Sequence, residues 1–283
     1  MIMKTAPKER LDVLLVERGS ADSREAARRL IMAGEVRVNG QVVSKPGQRV
    51  SVDAPISLRA APRFVSRGGE KLDAALSAFG LSVEGLVCAD VGASTGGFTD
   101  CLLQRGAHKV YAIDVGYGQL DYRLRGDSRV VVMERVNARY LESLPEKVSF
   151  VCLDASFIPL KLLLPAVIGW LQEQAEVIPL IKPQFEAGRA DVGKNGVVRS
   201  AEVHARVLHE VLNFAHESGF GVGGLVRSPL KGPAGNAEFL AWLTWGQGKG
   251  INFEPLIPGV LEASALELPP IRSETEDQTE NQS

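Results

Sequence analysis

Two charged side chains close apolar runs in the middle of the chain. Asp154 ends the run in LDASFIP, and Lys182 ends the run in LIKPQFE. Pro183 keeps Lys182 out of helical backbone, so a strand stops there with the lysine at its mouth. An ammonium in that position is costly to desolvate without a partner or a task. Earlier, Val87-Cys88-Ala89-Asp90-Val91-Gly92 runs into Ala93-Ser94-Thr95-Gly96-Gly97-Phe98. This reads as a buried strand, a glycine-rich turn and a helix start. The small residues let backbone N–H groups approach a ligand at the carboxyl end of the strand. Asp90 closes that strand. Asp114 closes the next, 22 residues after Gly92, where it can accept hydrogen bonds from ribose hydroxyls. The spacing G-x-x-x-G-G fits neither the dinucleotide fingerprint GxGxxG nor the phosphate loop GxxxxGK[ST].

Residues so placed need a sheet whose strand ends share one edge. Apolar runs at 86–90, 109–114, 130–133, 148–154 and 177–182 alternate with helical segments. Two more, at 221–226 and 238–244, follow a helix over 201–218. This rhythm predicts an α/β, doubly wound, seven-stranded and mostly parallel sheet. A helix over 71–79, ended by Gly80, precedes it. Residues 9–59 read as a separate small α+β unit. A short helix carries Leu11, Val13, Leu14 and Leu15; a second is capped by Asp22, with Glu25 three places on. A hairpin turns at Asn39-Gly40, and one further strand spans 50–58. The predicted organisation is an arm over 1–8, a small domain over 9–60, a linker over 61–67, a large domain over 68–250 and an acidic tail over 251–283. The tail is expected to be disordered from about residue 273, where apolar residues cease.

The strand, turn and paired aspartates resemble the S-adenosylmethionine motif of Rossmann-like class I methyltransferases. That resemblance implies a methyl donor held by Asp90, Gly92, Ser94, Gly96, Gly97, Phe98 and Asp114. Within it, the strand ends narrow the acceptor. Base-amine methylation places Asn/Asp-Pro-Pro-aromatic where Asp154 is followed here by Ala155 and Ser156. Pyrimidine carbon-5 methylation needs a cysteine nucleophile, and no Pro-Cys occurs. A hydroxyl acceptor remains, for which an enzyme aligns an in-line displacement and takes a proton from oxygen.

The motifs SRGGEKLDAAL, LDASFIP, LIKPQFE and GPAGNAEFL resemble those of the FtsJ-type ribose 2′-O-methyltransferases. The lysine, aspartate, lysine and glutamate of that family match Lys71, Asp154, Lys182 and Glu238. Residues 9–59 resemble the S4-type RNA-binding module. Their fusion, with KNGVVRS ending at Ser200, resembles the TlyA family of rRNA 2′-O-methyltransferases, often labelled hemolysin A. The resemblance covers residues 9–246. It implies Lys182 as proton acceptor, Asp154 orienting it, and Lys71 and Glu238 positioning the ribose of a cytidine in ribosomal RNA. The charge on Lys182 stays open at this point. A neutral amine would take the proton; an ammonium would steer the hydroxyl lone pair toward the methyl group.

Charge distribution bears on the partner. The net charge is -2, which excludes a uniformly basic coat. Residues 1–71 nevertheless carry a net +6 and residues 251–283 a net -6. Lys4, Lys8, Arg10, Arg24, Arg28 and Arg29 are expected to meet RNA phosphates, with Arg63 and Arg67 extending the track toward Lys71. Cys88, Cys101 and Cys152 are too few and too dispersed for a disulfide framework or a zinc ribbon, and are read as reduced core residues. His204, His209 and His216 lack the HExxH pattern or a third ligand, so no metal is expected. No signal-peptide core and no run of about 20 clean apolar residues is present, which points to the cytoplasm and away from a membrane. Three rival functions compete with this reading: an RNA binder with a vestigial catalytic domain, a membrane-lytic protein, and a small-molecule O-methyltransferase. Intact reacting positions, the lack of an amphipathic or spanning segment, and the basic head oppose them in turn.

Overall fold

The computed structural model describes residues 7–59, 62–248 and 250–263. The chain divides into two compact units, Met1–Pro62 and Arg63–Ser283.

The first unit contains β1 (Lys8–Arg10), α1 (Leu11–Glu17), α2 (Arg24–Met32), β2 (Val36–Val38), β3 (Gln41–Val42), β4 (Arg49–Ser51) and β5 (Ile56–Leu58). Leu11, Leu14, Leu15, Ala27, Ile31, Val36 and Val50 form its core. Asn39 and Gly40 both adopt positive φ and close the β2–β3 hairpin. Three expectations are corrected in this unit. The cap of α2 is Ser23, not Asp22: Ser23 has extended backbone and its hydroxyl accepts from Ala26 N–H. Glu25 pairs with Arg29 one turn on. The single strand expected over 50–58 is two, because a turn through Asp53 and Pro55 sends β4 to pair with β1 and β5 to pair with β2. Lys8, assigned to an arm, therefore lies in a strand.

The second unit contains α3 (Gly68–Phe79), β6 (Val87–Val91), α4 (Gly97–Gln104), β7 (Lys109–Asp114), α5 (Tyr122–Arg125), β8 (Val130–Glu134), β9 (Val148–Leu153), α6 (Leu164–Ile168), β10 (Leu171–Ile181), α7 (Pro183–Glu186), α8 (Ala201–Glu217), β11 (Gly221–Arg227), β12 (Phe239–Trp245) and α9 (Leu256–Glu262). The seven-stranded sheet runs β11-β12-β10-β9-β6-β7-β8. Only β12 opposes its neighbours; β6 to β10 pair in parallel. Alternation along β9 divides the core in two. Phe150 and Cys152 face one layer, Val151 and Leu153 the other. All three cysteines are buried thiols.

Strand β10 starts six residues before the predicted position. Its first half is the polar run QEQ, and a register irregularity follows Leu171, so no alternation marked it. The expected linker over 61–67 is largely part of the second unit. Phe64 is buried, Val65 N–H donates to Asp100, and Gln104 donates to the Arg63 carbonyl. Residues 251–263 are likewise no loose tail. Phe253, Ile257 and Val260 recur at helical spacing and pack into the core through α9. The tail beyond Ala263, including the segment expected to be disordered, lies outside the described residues. Among the described residues no helix is long and apolar enough to cross a membrane.

Candidate active site

Parallel strands deliver their carboxyl ends to one edge of the sheet, and two adjoining cavities open there. The first, of about 580 Å³, is lined by the end of β6, the end of β7, Asn137, Ala138 and the loop after β9. The second, of about 300 Å³, holds Lys71, Asp154, Lys182 and Glu238 in its wall. The two share Gly92, Ser94, Asp154 and Ser156.

In the larger cavity, Gly92 turns the chain at φ +83°; a Cβ there would sit 2.9 Å from the Asp154 carbonyl oxygen. Ser94 also has positive φ and keeps the turn open. Both oxygens of Asp114 brace the loops: Ser94 N–H donates to Oδ2 at 2.8 Å and Gly116 N–H to Oδ1 at 2.7 Å. Each oxygen keeps a second acceptor site for a ligand hydroxyl. Asp90 is fully buried. Thr99 N–H and Oγ–H both donate to its Oδ2, while Oδ1 has no partner. Burial pushes its carboxyl up to about 7 against the opposing pull of Thr99, and the nearby Asp154 and Asp114 charges add to the rise.

The seven residues expected around a methyl donor thus separate. Gly92, Ser94 and Asp114 line the larger cavity. Asp90 lies beneath the turn, with no exposed surface. Gly97 and Phe98 line the smaller cavity instead. Gly97 is required by packing, since a Cβ would meet Ser66 Oγ at 2.3 Å and Gly69 N at 2.9 Å. Gly96 lines neither cavity and is hemmed in by Leu120 and Leu124. Sequence reasoning passes over Gln119, Asn137 and Ala138, which also line the larger cavity but stand on a loop and at the start of one short 3-10 turn, without a distinctive motif.

In the smaller cavity, Lys182 Nζ donates to Asp154 Oδ1 at 2.6 Å and to Ser156 Oγ at 2.9 Å. Lys71 Nζ donates to Glu238 Oε2 at 2.6 Å. Lys71, Lys182 and Glu238 are all buried, so each charge depends on its partner. Lys71 comes from the first turn of α3, and Glu238 directly precedes β12. Two further residues set the loops around this cluster. Asn236 accepts from Val198 N–H and donates to the Gly196 carbonyl, both at 2.9 Å, which ties GPAGN to KNGVV. Glu186 accepts from Leu160 N–H at 2.9 Å and so joins the segment after Lys182 to the segment after Asp154; burial pushes its carboxyl up to about 7. Phe157, which lines the larger cavity, adopts φ +63° and is 89% exposed, its ring 4.8 Å from that of Phe185.

The basic residues expected to meet RNA have unequal surroundings. Arg24, Arg28 and Arg29 line one surface concavity with Glu25 and Met32. Arg10 and Arg24 both donate to buried Asp12, and Arg10 foremost holds that carboxyl down at about 2. Lys8 lies in β1, and Lys4 falls outside the described residues. In the second unit Arg67 lines the smaller cavity. The guanidinium of Arg63 is paired with buried Asp73, which it shares with Arg105. Among the described residues no group of three His, Cys, Asp or Glu side chains is arranged to hold a metal ion. His209 pairs with Glu254 at 2.9 Å.

The pattern of the FtsJ-like methyltransferase family matches residues 64–245, and that of the S4 domain matches residues 9–56. YqxC of Bacillus subtilis (strain 168) is 50% identical over 87% of this chain and 89% of its own. The 16S/23S rRNA (cytidine-2′-O)-methyltransferase TlyA of Mycobacterium tuberculosis (strain CDC 1551 / Oshkosh) is 47% identical over 91% of this chain and 98% of its own. A solved structure of a hemolysin-named protein from Streptococcus thermophilus is 46% identical, with a TM-score of 0.70 over 90% of this chain and 94% of that one.

Proposed function

The chain belongs to the FtsJ-like methyltransferase family, and from that premise we propose that it methylates the 2′-hydroxyl of a ribose in ribosomal RNA, using S-adenosylmethionine in the cytoplasm. The nucleoside named for the Mycobacterium tuberculosis relative, cytidine, is the proposed target. One observation carries this reading: two buried lysine–carboxylate pairs converge on a cavity that shares a wall with the cavity of Gly92 and Asp114.

The larger cavity suits the methyl donor. The Gly92 turn lines it, and Asp114 offers acceptor sites for ribose hydroxyls. When bound, S-adenosylmethionine supplies a methyl group already activated on a sulfonium. What remains for the protein is alignment and the fate of one proton. Lys182, fixed by Asp154 and Ser156, holds the acceptor oxygen and, as the neutral amine left once its own proton has gone to water, receives the proton of the hydroxyl. Lys71 and Glu238 offer a donor and an acceptor in the same cavity, which fits a ribose presenting hydroxyls of both kinds. Exposed Phe157 provides a face for a base lifted from its stack. The S4 domain, whose Arg24, Arg28 and Arg29 line one concavity, supplies phosphate contacts.

The test is transfer of a tritiated methyl group to isolated ribosomal subunits, followed by mapping of the modified nucleotide. Label on a ribose 2′-oxygen is expected. Label on a base or on protein, or none, would refute the reading.

A further inference from the structure

A third concavity, of about 330 Å³, adjoins the cavity of the four reacting residues. Lys231 lines both, and the neighbours Ala237 and Glu238 face one each. It shares no residue with the cavity assigned to the methyl donor. The three cavities therefore stand in series, with the reacting cavity in the middle.

The charge of this third concavity is one-sided. Arg199, Arg227 and Lys231 line it, and no carboxylate does. Among the described residues none of the three has an ion-pair partner. Elsewhere in the second unit six arginines, among them Arg105 and Arg129, are matched to an aspartate or glutamate. Among the described residues Arg67, Arg135, Arg139 and Arg189 are not, but none of them shares one hollow with two other unmatched cations, as Arg199, Arg227 and Lys231 do. Like charges left uncompensated in one hollow repel each other, a cost that an arriving anion removes. His204 also lines the hollow. Its ring packs edge-on to Phe239 at 5.8 Å, and its Nε2 is shielded from solvent with no partner. Among the described residues it is the one buried side-chain nitrogen so placed.

Resting on the reading above, we propose that this concavity is a phosphate subsite, in which Arg199, Arg227 and Lys231 hold a backbone phosphodiester of the RNA strand next to the ribose in the reacting cavity. Guanidinium forks match phosphate oxygens two at a time, whereas the ammonium of Lys231 serves as a point charge bridging the two cavities. The subsite fixes where along the strand the acceptor oxygen falls. It carries no sequence preference, because phosphates are the same at every nucleotide.

The experiment measures methyl transfer to RNA as a function of RNA and salt concentration, for the full chain and for Arg199→Gln, Arg227→Gln and the double variant. The double variant is expected to raise KM for RNA about tenfold while kcat changes less than about threefold. The slope of log KM against log salt should become shallower by about one. Affinity for S-adenosylmethionine, read by calorimetry, should be unchanged. Arg199→Lys, which keeps the charge, should restore most of the KM. Arg227 also donates to the Ala263 carbonyl, so its removal touches the fold as well; Arg199→Gln disturbs no such bond and carries the test alone if the Arg227 variant unfolds. A folded Arg199→Gln protein with wild-type KM and salt slope overturns the subsite. Wild-type protein that methylates no RNA overturns the underlying reading, and the subsite with it.

Discussion

Lys182 and Asp154 meet at 2.6 Å from the carboxyl ends of adjacent parallel strands, β10 and β9. Their partnership needs no long loop. Strand pairing brings the two chain positions together, and Pro183 turns the backbone away as soon as the lysine has been delivered. The lysine is thereby held at the cleft while its carbon stem stays buried.

Lys182→Ala should lower methyl transfer by about 10²- to 10⁴-fold, the span of a missing proton acceptor. S-adenosylmethionine affinity should stay within about twofold, because Lys182 does not line the donor cavity. Lys182→Arg separates two roles. An arginine keeps the positive charge but cannot accept a proton at neutral pH. Activity as low as that of the alanine variant marks proton acceptance; substantial recovery marks steering by charge.

Breaking the Lys71–Glu238 pair leaves a buried charge alone. Glu238→Ala should cost about 3 kcal/mol of stability by denaturant titration, while Lys71→Met with Glu238→Met together should recover much of that. The double variant should remain inactive. A single variant as stable as wild type would mean that water already reaches the pair.

Asp90 links stability to pH. Its carboxyl sits at about 7 in the fold and near the ordinary carboxylate value, about 4, once unfolded. Between these values the native state binds the extra proton. Stability from this group is therefore full below about pH 4 and is lost as the pH rises through 7. Asp90→Asn keeps an oxygen for Thr99 and removes the titration. Relative to wild type the variant should gain stability as pH rises from about 4 to 7, by up to about 1.4 kcal/mol per pH unit. Urea unfolding at pH 5 and pH 8 reads the difference.

Gly92→Ala should cost at least about 2 kcal/mol, from positive φ and from a Cβ pressed on the Asp154 carbonyl. Because the same backbone lines both cavities, donor affinity should fall with it. Calorimetry and thermal melting together check both effects.

The first unit has its own core, so removing residues 1–62 should leave donor affinity intact. RNA affinity should drop. Its salt dependence should flatten by about 0.7 to 0.9 in slope for every phosphate that the truncated protein no longer neutralises. Unchanged RNA binding would assign phosphate recognition to the second unit alone.

Much of this is legible in the chain because strand periodicity and strand-end chemistry are local signals. Asp154, Lys182 and Asp114 stand where the apolar runs stop. Lys71 and Glu238 are reachable only through resemblance of their motifs, since no local pattern pairs residues so far apart in the chain. Gly96 and Gly97 show the opposite difficulty. Glycine serves ligand approach and helix packing equally well, and only the neighbouring Leu120, Leu124 and Ser66 reveal which applies. Asp22 and Ser23 are adjacent capping residues, and backbone conformation at the second decides between them. Helix α9 escapes a sequence reading because seven residues of apolar spacing are easily lost in an acidic segment.

The Lys71–Glu238 contact joins positions 167 residues apart. At ordinary synthesis speeds roughly 10 to 30 seconds separate their emergence from the ribosome. The larger cavity is lined only by residues 91–163, yet Val91, Ile113 and Leu163 pack in one core with Ile181, Leu208 and Phe239. The wall of the four charged side chains depends as directly on late chain, because β12 inserts between β10 and β11. Both cavities therefore rest on a strand that the ribosome delivers late.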